Sequence, residues 1–376
     1  MKIGFDYTIA DLNMAGSGVY ARSLFTALQQ LSADGADLEM LPLRMGSPWT
    51  QRRRTGLLRR AAVLYRSLIG RHVEMPRAVR RAGVDLFHEP NGLLPAHMST
   101  PSVVTMFDTS VLDFPHGFNV WQRIEWRVLA RRSLSTARLV LTISESAKRD
   151  ILRHYAVPDE KIFVTPLAAA DVFRALPSQT FDAVRARFGL RRFLLTVGTL
   201  EPRKNHVGLI TAFLEARRRG HLQDVQLVHV GAPTWKRPVG IDDAARYGDA
   251  VRFLGYLDIG DLVALMNAAD ATAFLSFGEG FGLPVLESMQ CGTPVVASDI
   301  PVLREVAADA AVYADPHSTS AMADALIAVL EDADLRARMR ESGLRRAQQF
   351  SWAACARRTE DAYRTAVAMA GGVAGK

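Results

Sequence analysis

Two glutamates, Glu279 and Glu287, stand seven intervening residues apart in the stretch ATAFLSFGEGFGLPVLESMQCGTPVVASDI, residues 271–300. Ala271 to Leu275 is an apolar run of β character, Gly278, Gly280 and Gly282 make a turn, and a helix is expected from Pro284. A first-turn proline is tolerated because the N–H it lacks would have no intrahelical partner. A strand, a glycine turn and a helix N-terminus together form an anion site, since backbone amides and the positive helix end face whatever lies above the turn. A carboxylate beside a phosphate is unfavourable unless a neutral group donates hydrogen bonds to it, and sugar hydroxyls do so. The spacing therefore points to a nucleotide sugar. Taken singly, Glu279 could equally be a solvated loop acid and Glu287 a helix-surface residue.

A second set of residues supplies positive charge. Arg203 and Lys204, in GTLEPRKN, follow a strand over Phe193–Val197 and precede a helix over Val207–Arg217. Adjacent cations in such a loop suit a diphosphate, the guanidinium as a fork and the ammonium as a point charge. Earlier, the strand Lys2–Tyr7 leads into a loop, Ala10–Gly18, that carries Gly16 and Gly18 before a helix over Val19–Leu31. Strands over Val84–His88 and Ser102–Phe107 run into HEPNGLLP and Asp108-Thr109-Ser110. Positions just past the carboxyl ends of parallel strands favour binding and chemistry, so His88, Glu89, Asn91 and Asp108 are candidates. A lone histidine is more often structural than catalytic.

The elements that must position these residues alternate strand and helix along the chain, the pattern of an α/β protein with doubly wound parallel sheets. At 376 residues, with 49% hydrophobic residues, two domains are expected. The composition of Leu167–Phe181, rich in Ala, Pro, Ser and Gln, marks a linker. The predicted division is residues 1–172, residues 173–350, and a terminal helical segment, 351–376. Asp332-Ala333-Asp334 precedes a helix over Leu335–Gln348 and is expected to cap it, so no metal is predicted.

No run of about 20 apolar residues exists that could span a membrane. The opening MKIGFD enters a strand with an acid in it and does not suit a signal peptide. Cys291 and Cys355 are too few for a disulfide framework or a zinc cluster, which makes the cytoplasm the expected compartment. The net charge of +7 favours an anionic partner. Arg52, Arg53, Arg54, Arg59, Arg60, Arg66, Arg71, Arg77, Arg80 and Arg81 face the single acid Glu74, with Leu57, Leu58, Val63, Leu64, Tyr65, Leu68 and Ile69 interleaved at a helical period. Such a segment can lie on anionic lipid, although a solvated helix face is the plainer reading. A second basic, aromatic pattern runs over Val120–Leu134. No nucleic-acid motif accompanies the charge.

The glutamate pair in EGFGLPVLE, followed by CGTPVVA, resembles the signature of the retaining glycosyltransferases of family 4. The resemblance covers most of the chain. It implies the GT-B fold: two Rossmann-like domains facing across a cleft, an acceptor-binding domain first and a nucleotide-sugar domain second, with residues 351–376 crossing back to the first. By the same resemblance Glu279 lies near the donor sugar, and Glu287 holds the ribose hydroxyls. The amides of Gly280, Phe281, Gly282 and Leu283 meet the sugar and diphosphate, Arg203 and Lys204 bind the diphosphate, and Gly16 and Gly18 face the donor phosphates. The family's strand that ends in a His-Asp pair corresponds to VVTMFDTS, where Asp108 is retained and Phe107 replaces the histidine. Where many members have a further arginine, this chain has Thr199.

The activity so implied is retaining, metal-independent transfer of a hexose or deoxyhexose, with mannose from GDP-mannose favoured, without any cofactor. The acceptor is a saccharide, lipid-linked at the inner face of the cytoplasmic membrane, in cell-surface polysaccharide or lipopolysaccharide synthesis. Two alternatives stay open. A dinucleotide-binding, NAD(P)-dependent oxidoreductase would use the three glycines, with Asp299 as its ribose acid. An inert sugar-nucleotide-binding protein would lack a working catalytic wall, consistent with Phe107.

Overall fold

The computed structural model describes residues 1–13, 16–45, 65–232 and 244–371. The first part of the expected basic segment, from Arg52 to Leu64, lies outside these residues. The chain divides into two units: residues 1–113, 119–167 and 351–376 form one, and residues 114–118 with 168–350 form the other. The first unit is thus completed by a segment that follows the whole of the second.

The first unit is built on six strands: β1 (Lys2–Asp6), β2 (Glu39–Leu43), β3 (Leu86–Glu89), β4 (Ser102–Thr105), β5 (Leu139–Thr142) and β6 (Ile162–Val164). All pair in parallel, in the order β2-β1-β3-β4-β5-β6. The second unit holds β7 (Arg192–Val197), β8 (Val225–Val230), β9 (Val251–Gly255), β10 (Ala271–Phe274), β11 (Val295–Ser298) and β12 (Ala311–Ala314). These are also parallel, in the order β12-β11-β10-β7-β8-β9.

Strands buried on both faces read as unbroken apolar runs, and β5 and β10 are buried along their whole length. In β7 the alternation shows directly. Leu194 enters one core with Phe213 and Leu326, while Phe193 and Leu195 enter the other with Val228 and Met266. Helix starts are capped by side chains placed for it: Ser144 accepts from the Ala147 amide, Asp258 from Asp261, and Asp332 from Leu335. Asp332 therefore caps the helix Ala333–Ala347, as its position in the sequence suggests.

Two expectations are corrected. Much of the loop expected over Ala10–Gly18 is helical, since Thr8–Leu12 forms one helix and Gly16–Ala33 another. The glycine at 18 answers to packing: a Cβ there would lie 1.7 Å from the Asn13 carbonyl oxygen. The basic pattern over 120–134 is also not one regular helix. An α-helical turn (Val120–Glu125), whose Asn119 and Gln122 form a capping box, passes into a π-helical stretch (Trp126–Ala130) and back to α-helix (Arg131–Thr136). A second π-helical stretch, Arg66–Glu74, is joined to it by the Arg71–Glu125 ion pair at 3.0 Å.

Candidate functional site

The second sheet reverses direction between β7 and β10, because the chain first adds β8 and β9 on one side and then returns to the other. Ligands of open α/β sheets bind outside the carboxyl ends of the strands at such a reversal. The loop after β7 carries Arg203 and Lys204, and the loop after β10 carries Ser276 and Glu279. Backbone bonds hold the two loops together. The Phe277 amide donates to the Arg203 carbonyl at 2.9 Å, and the Asn205 side-chain amide donates to the carbonyls of Leu275 (2.9 Å) and Pro316 (3.0 Å). Asn205 itself takes a left-handed conformation, φ +54°, which its short polar side chain tolerates.

Glu279 is the hub of this site. Its Oε1 accepts from Lys204 Nζ and Ser276 Oγ, both at 2.7 Å, and its Oε2 accepts from Lys204 Nζ and Arg203 Nη1, both at 2.9 Å. Arg203 donates in addition to the Gly278 carbonyl. All three charged side chains are largely buried, Glu279 at 10%, Arg203 at 16% and Lys204 at 15% exposure. Burial works against the carboxylate charge, but Lys204 and Arg203 outweigh it and hold Glu279 down at about 2. A second carboxylate, Glu201, stands 3.8 Å from Arg203 Nη2, so the two cations meet two acids.

The helix Leu283–Gln290 begins directly after this turn. Gly282 enters it at φ +96°, where a Cβ would stand 2.5 Å from Leu303 Cδ2, so both conformation and space call for glycine. The Phe281 ring is buried edge-on against Phe350, at 5.9 Å between centroids, which leaves only its backbone to face a ligand. Glu287 is half-buried one turn into the helix; burial pushes its carboxyl up to about 7, with Lys204 pulling the other way. Asp299, the acid a dinucleotide reading would need, is bound by Arg304.

Nothing in the residue pattern announced two neutral histidines behind Lys204. His206 Nε2 donates to the Thr199 carbonyl (3.1 Å) and His229 Nε2 to the Gly198 carbonyl (2.9 Å), with their rings edge-to-face at 4.7 Å. Burial lowers them to about 3 and about 4, so they add no charge at neutral pH. Thr199, at the position of the family's extra arginine, spends its hydroxyl on Glu201 at 2.7 Å.

In the first unit the candidates separate. His88 is wholly buried, its ring between Thr105 Oγ1 (2.7 Å) and Tyr363 Oη (2.6 Å), and burial lowers it to about 3. Strand alternation turns His88 towards the helix Trp352–Gly371 and away from the strand end, so its role is structural. Glu89, the next residue, ends β3, and its Oε2 accepts from the amides of Asn91 (3.0 Å) and Leu93 (2.9 Å). Asp108 is half-buried and accepts from the Ser110 amide at 2.9 Å. Phe107 meets Tyr20 edge-on at 4.9 Å. Gly16 opens its helix at φ +32° with open space about it. Among the described residues no group of three His, Cys, Asp or Glu side chains is arranged to hold a metal ion, and no helix is long and apolar enough to cross a membrane.

Residues 178–346 match the family model of glycosyl transferases group 1, and residues 16–168 match that of glycosyltransferase family 4. An O-antigen chain mannosyltransferase B of Escherichia coli is 34% identical over 289 residues, 74% of this chain and 74% of that protein. The sucrose-phosphate synthase of Thermosynechococcus elongatus superposes with a TM-score of 0.74 at 21% identity, covering 98% of this chain and 100% of the other. HepE of Anabaena, solved with UDP and glucose, superposes with a TM-score of 0.70 at 17% identity over 97% and 100% of the two chains. With both units matched and a relative one-third identical over most of its length, this chain belongs to the group 1 and family 4 glycosyltransferases and has their GT-B fold.

Proposed function

We propose that this enzyme is a retaining, metal-independent hexosyltransferase that moves mannose from GDP-mannose to a lipid-linked saccharide in cell-surface polysaccharide synthesis. The observation that carries the reading is the Arg203–Lys204–Glu279 cluster at the β7/β10 reversal. A diphosphate finds a guanidinium and an ammonium side by side there, while Glu279 offers acceptor oxygens to sugar hydroxyls. As the glycosidic bond breaks, charge gathers on the leaving diphosphate. Arg203, Lys204 and the positive end of the helix Leu283–Gln290 stabilise it, which is the work a metal ion does elsewhere. Gly280, Gly282 and Leu283 present backbone to the donor, and Glu287 holds the ribose. Mannose is favoured by the name of the Escherichia coli relative, an O-antigen chain mannosyltransferase.

The enzyme works at the inner face of an anionic membrane, held peripherally by the first unit. Among the described residues, seven of the twelve exposed large apolar side chains lie on the two segments joined by Arg71–Glu125. They include Leu68, Ile69, Val120, Trp121 and Val128, with Trp121 79% exposed, and Arg123, Arg127 and Arg131 stand among them. Apolar side chains ringed by arginines suit the boundary between headgroups and acyl chains.

The test is a panel of GDP-, UDP-, ADP- and dTDP-sugars scored for binding by thermal shift and for transfer to octyl glycosides. GDP-mannose is expected to bind best and to give retained anomeric configuration by NMR. Binding of NAD(P) with none of any sugar nucleotide would overturn the reading.

A further inference from the structure

The first sheet reverses between β1 and β3, and Asp6, Glu89 and Asp108 stand at or just past the carboxyl ends of β1, β3 and β4. The opposite, amino ends hold a cavity of about 530 Å³, a size that suits a small organic ligand. Its walls come from three pieces of chain that each run towards a strand: the helix Met75–Ala82 ahead of β3, residues 94–102 ahead of β4, and residues 132–138 ahead of β5.

Three arginines line this cavity, Arg80, Arg132 and Arg138, with His97 beside them, and among the described residues no aspartate or glutamate does. Arg132 donates to the Ala96 carbonyl, which anchors one edge of its guanidinium. The side chains of Arg80 and Arg138 have no ion pair or hydrogen bond among the described residues. The surroundings add positive charge. Burial, and then repulsion from Arg138, lower the Lys161 ammonium. His72 Nδ1 accepts from the Ala96 amide at 2.9 Å, and burial, then Arg71 and Arg132, lower its ring; Glu125, which pulls the other way, is paired with Arg71. Like charges gathered on a concave wall focus the local potential, and an anion from outside relieves it. Guanidinium forks match phosphate oxygens in pairs. Ser99 adds a hydroxyl and Met98 an apolar wall, so the cavity suits a phosphate joined to a compact organic part.

We propose that the cavity at the amino ends of β3, β4 and β5 is a binding site for a phosphate ester, held by Arg80, Arg132 and Arg138. It lies at the other end of the sheet from Glu89 and Asp108, and none of its residues belongs to the loops that carry Arg203 and Lys204. The ester reaches it as a free small molecule or as a lipid headgroup, and one experiment separates the two sources.

Calorimetry at low salt measures binding of glycerol 3-phosphate to the unaltered enzyme, Arg80→Gln, Arg138→Gln and Lys204→Ala. A parallel set measures partitioning of the same proteins onto phosphatidylcholine vesicles made anionic with phosphatidylglycerol or, at equal surface charge, with oleate. A free ester is the ligand if Arg80→Gln and Arg138→Gln each weaken glycerol 3-phosphate binding about tenfold while Lys204→Ala does not. A headgroup is the ligand if the two arginine variants lose about tenfold on phosphatidylglycerol and keep their partitioning on oleate. Should one arginine variant fail to fold, the other decides. Unchanged binding by both variants in both sets would overturn the proposal. Equal losses on phosphatidylglycerol and oleate, with glycerol 3-phosphate binding unchanged, would overturn it too, since charge alone would then suffice. Loss of glycerol 3-phosphate binding in Lys204→Ala alone would give the ester to the donor loops and overturn it equally. No arm uses sugar transfer, so the site stands or falls apart from the transferase reading.

Discussion

At the reversal of the second sheet a glutamate rests on two cations and is held ionised, down at about 2. At the reversal of the first sheet Glu89 is pushed up to about 8, by burial first and by the charge of Asp6 second. The topology is the same in both, parallel strands that part and leave a crevice at their carboxyl ends. What differs is the charge set around one buried carboxyl: in the second unit Lys204 and Arg203 outweigh burial, and in the first burial and Asp6 prevail. One scaffold thus holds two buried carboxyls in opposite charge states through a few residues at strand ends.

The sharpest way to break the comparison is to remove one of the two cations. Lys204→Ala is expected to lower transfer by about a hundredfold to a thousandfold, since it deletes a group aimed at the leaving diphosphate. Undiminished transfer, measured by release of nucleoside diphosphate, would show that the second reversal does not handle the donor phosphates.

Next in size is the acid stability of the second unit. Glu279 has a lowered folded-state value, so its contribution is present above the ordinary carboxylate range near 4.5 and is lost as pH falls towards about 2. Its full size is on the order of 3 kcal/mol. Glu279→Gln should therefore flatten the fall of melting temperature between pH 4.5 and 2, while being less stable than the parent at pH 7. A parallel fall in both proteins would contradict the ion-pair account.

A smaller effect concerns Glu287, whose raised value near 7 places its charge change at working pH. Its sign is the reverse: the unfolded chain releases this proton first, so ionisation lowers stability as pH rises from about 4.5 to 7. Ribose hydroxyls donate best to the ionised form, so affinity for GDP-mannose is expected to rise roughly tenfold from pH 6 to 8. Calorimetry on Glu287→Gln should give a flat profile; a slope equal to the parent's would assign the effect to another group.

The smallest effect lies on the surface of the first unit. Trp121→Ala is expected to weaken partitioning onto vesicles containing phosphatidylglycerol about fivefold, by removing apolar area from the interface. Transfer to a soluble glycoside should not change. Equal partitioning would confine the two basic segments to a solvated role.

Much of the second site was legible because its parts are local. The glycine turn, Pro284 and the eight-residue step between the glutamates fall on one strand–turn–helix unit, and Arg203-Lys204 announces itself as adjacent charges past a strand. The pairing of Glu279 with those cations was not legible, because it joins loops about 75 residues apart. His206 and His229 were missed for the same reason, and His88 was weighed as a cleft candidate although Tyr363, 275 residues away, holds it inside. The loop at Gly16 misled in another way: glycines that suggest a ligand also permit the close passage of Gly18 over Asn13. In the first unit the sequence shows Asp6 and Glu89 only as acids in separate strands, and nothing short of the strand order brings them together.

The bond between His88 and Tyr363 has a consequence for the order in which the protein is made. The helix that bears Tyr363 leaves the ribosome after the second unit is complete, so the first unit waits, lacking one wall of its core, through some 180 residues of further synthesis. During that interval Tyr20 and His88 are bare of their final cover. Chains cut short before Trp352 should therefore release a folded second unit together with a first unit that binds chaperones.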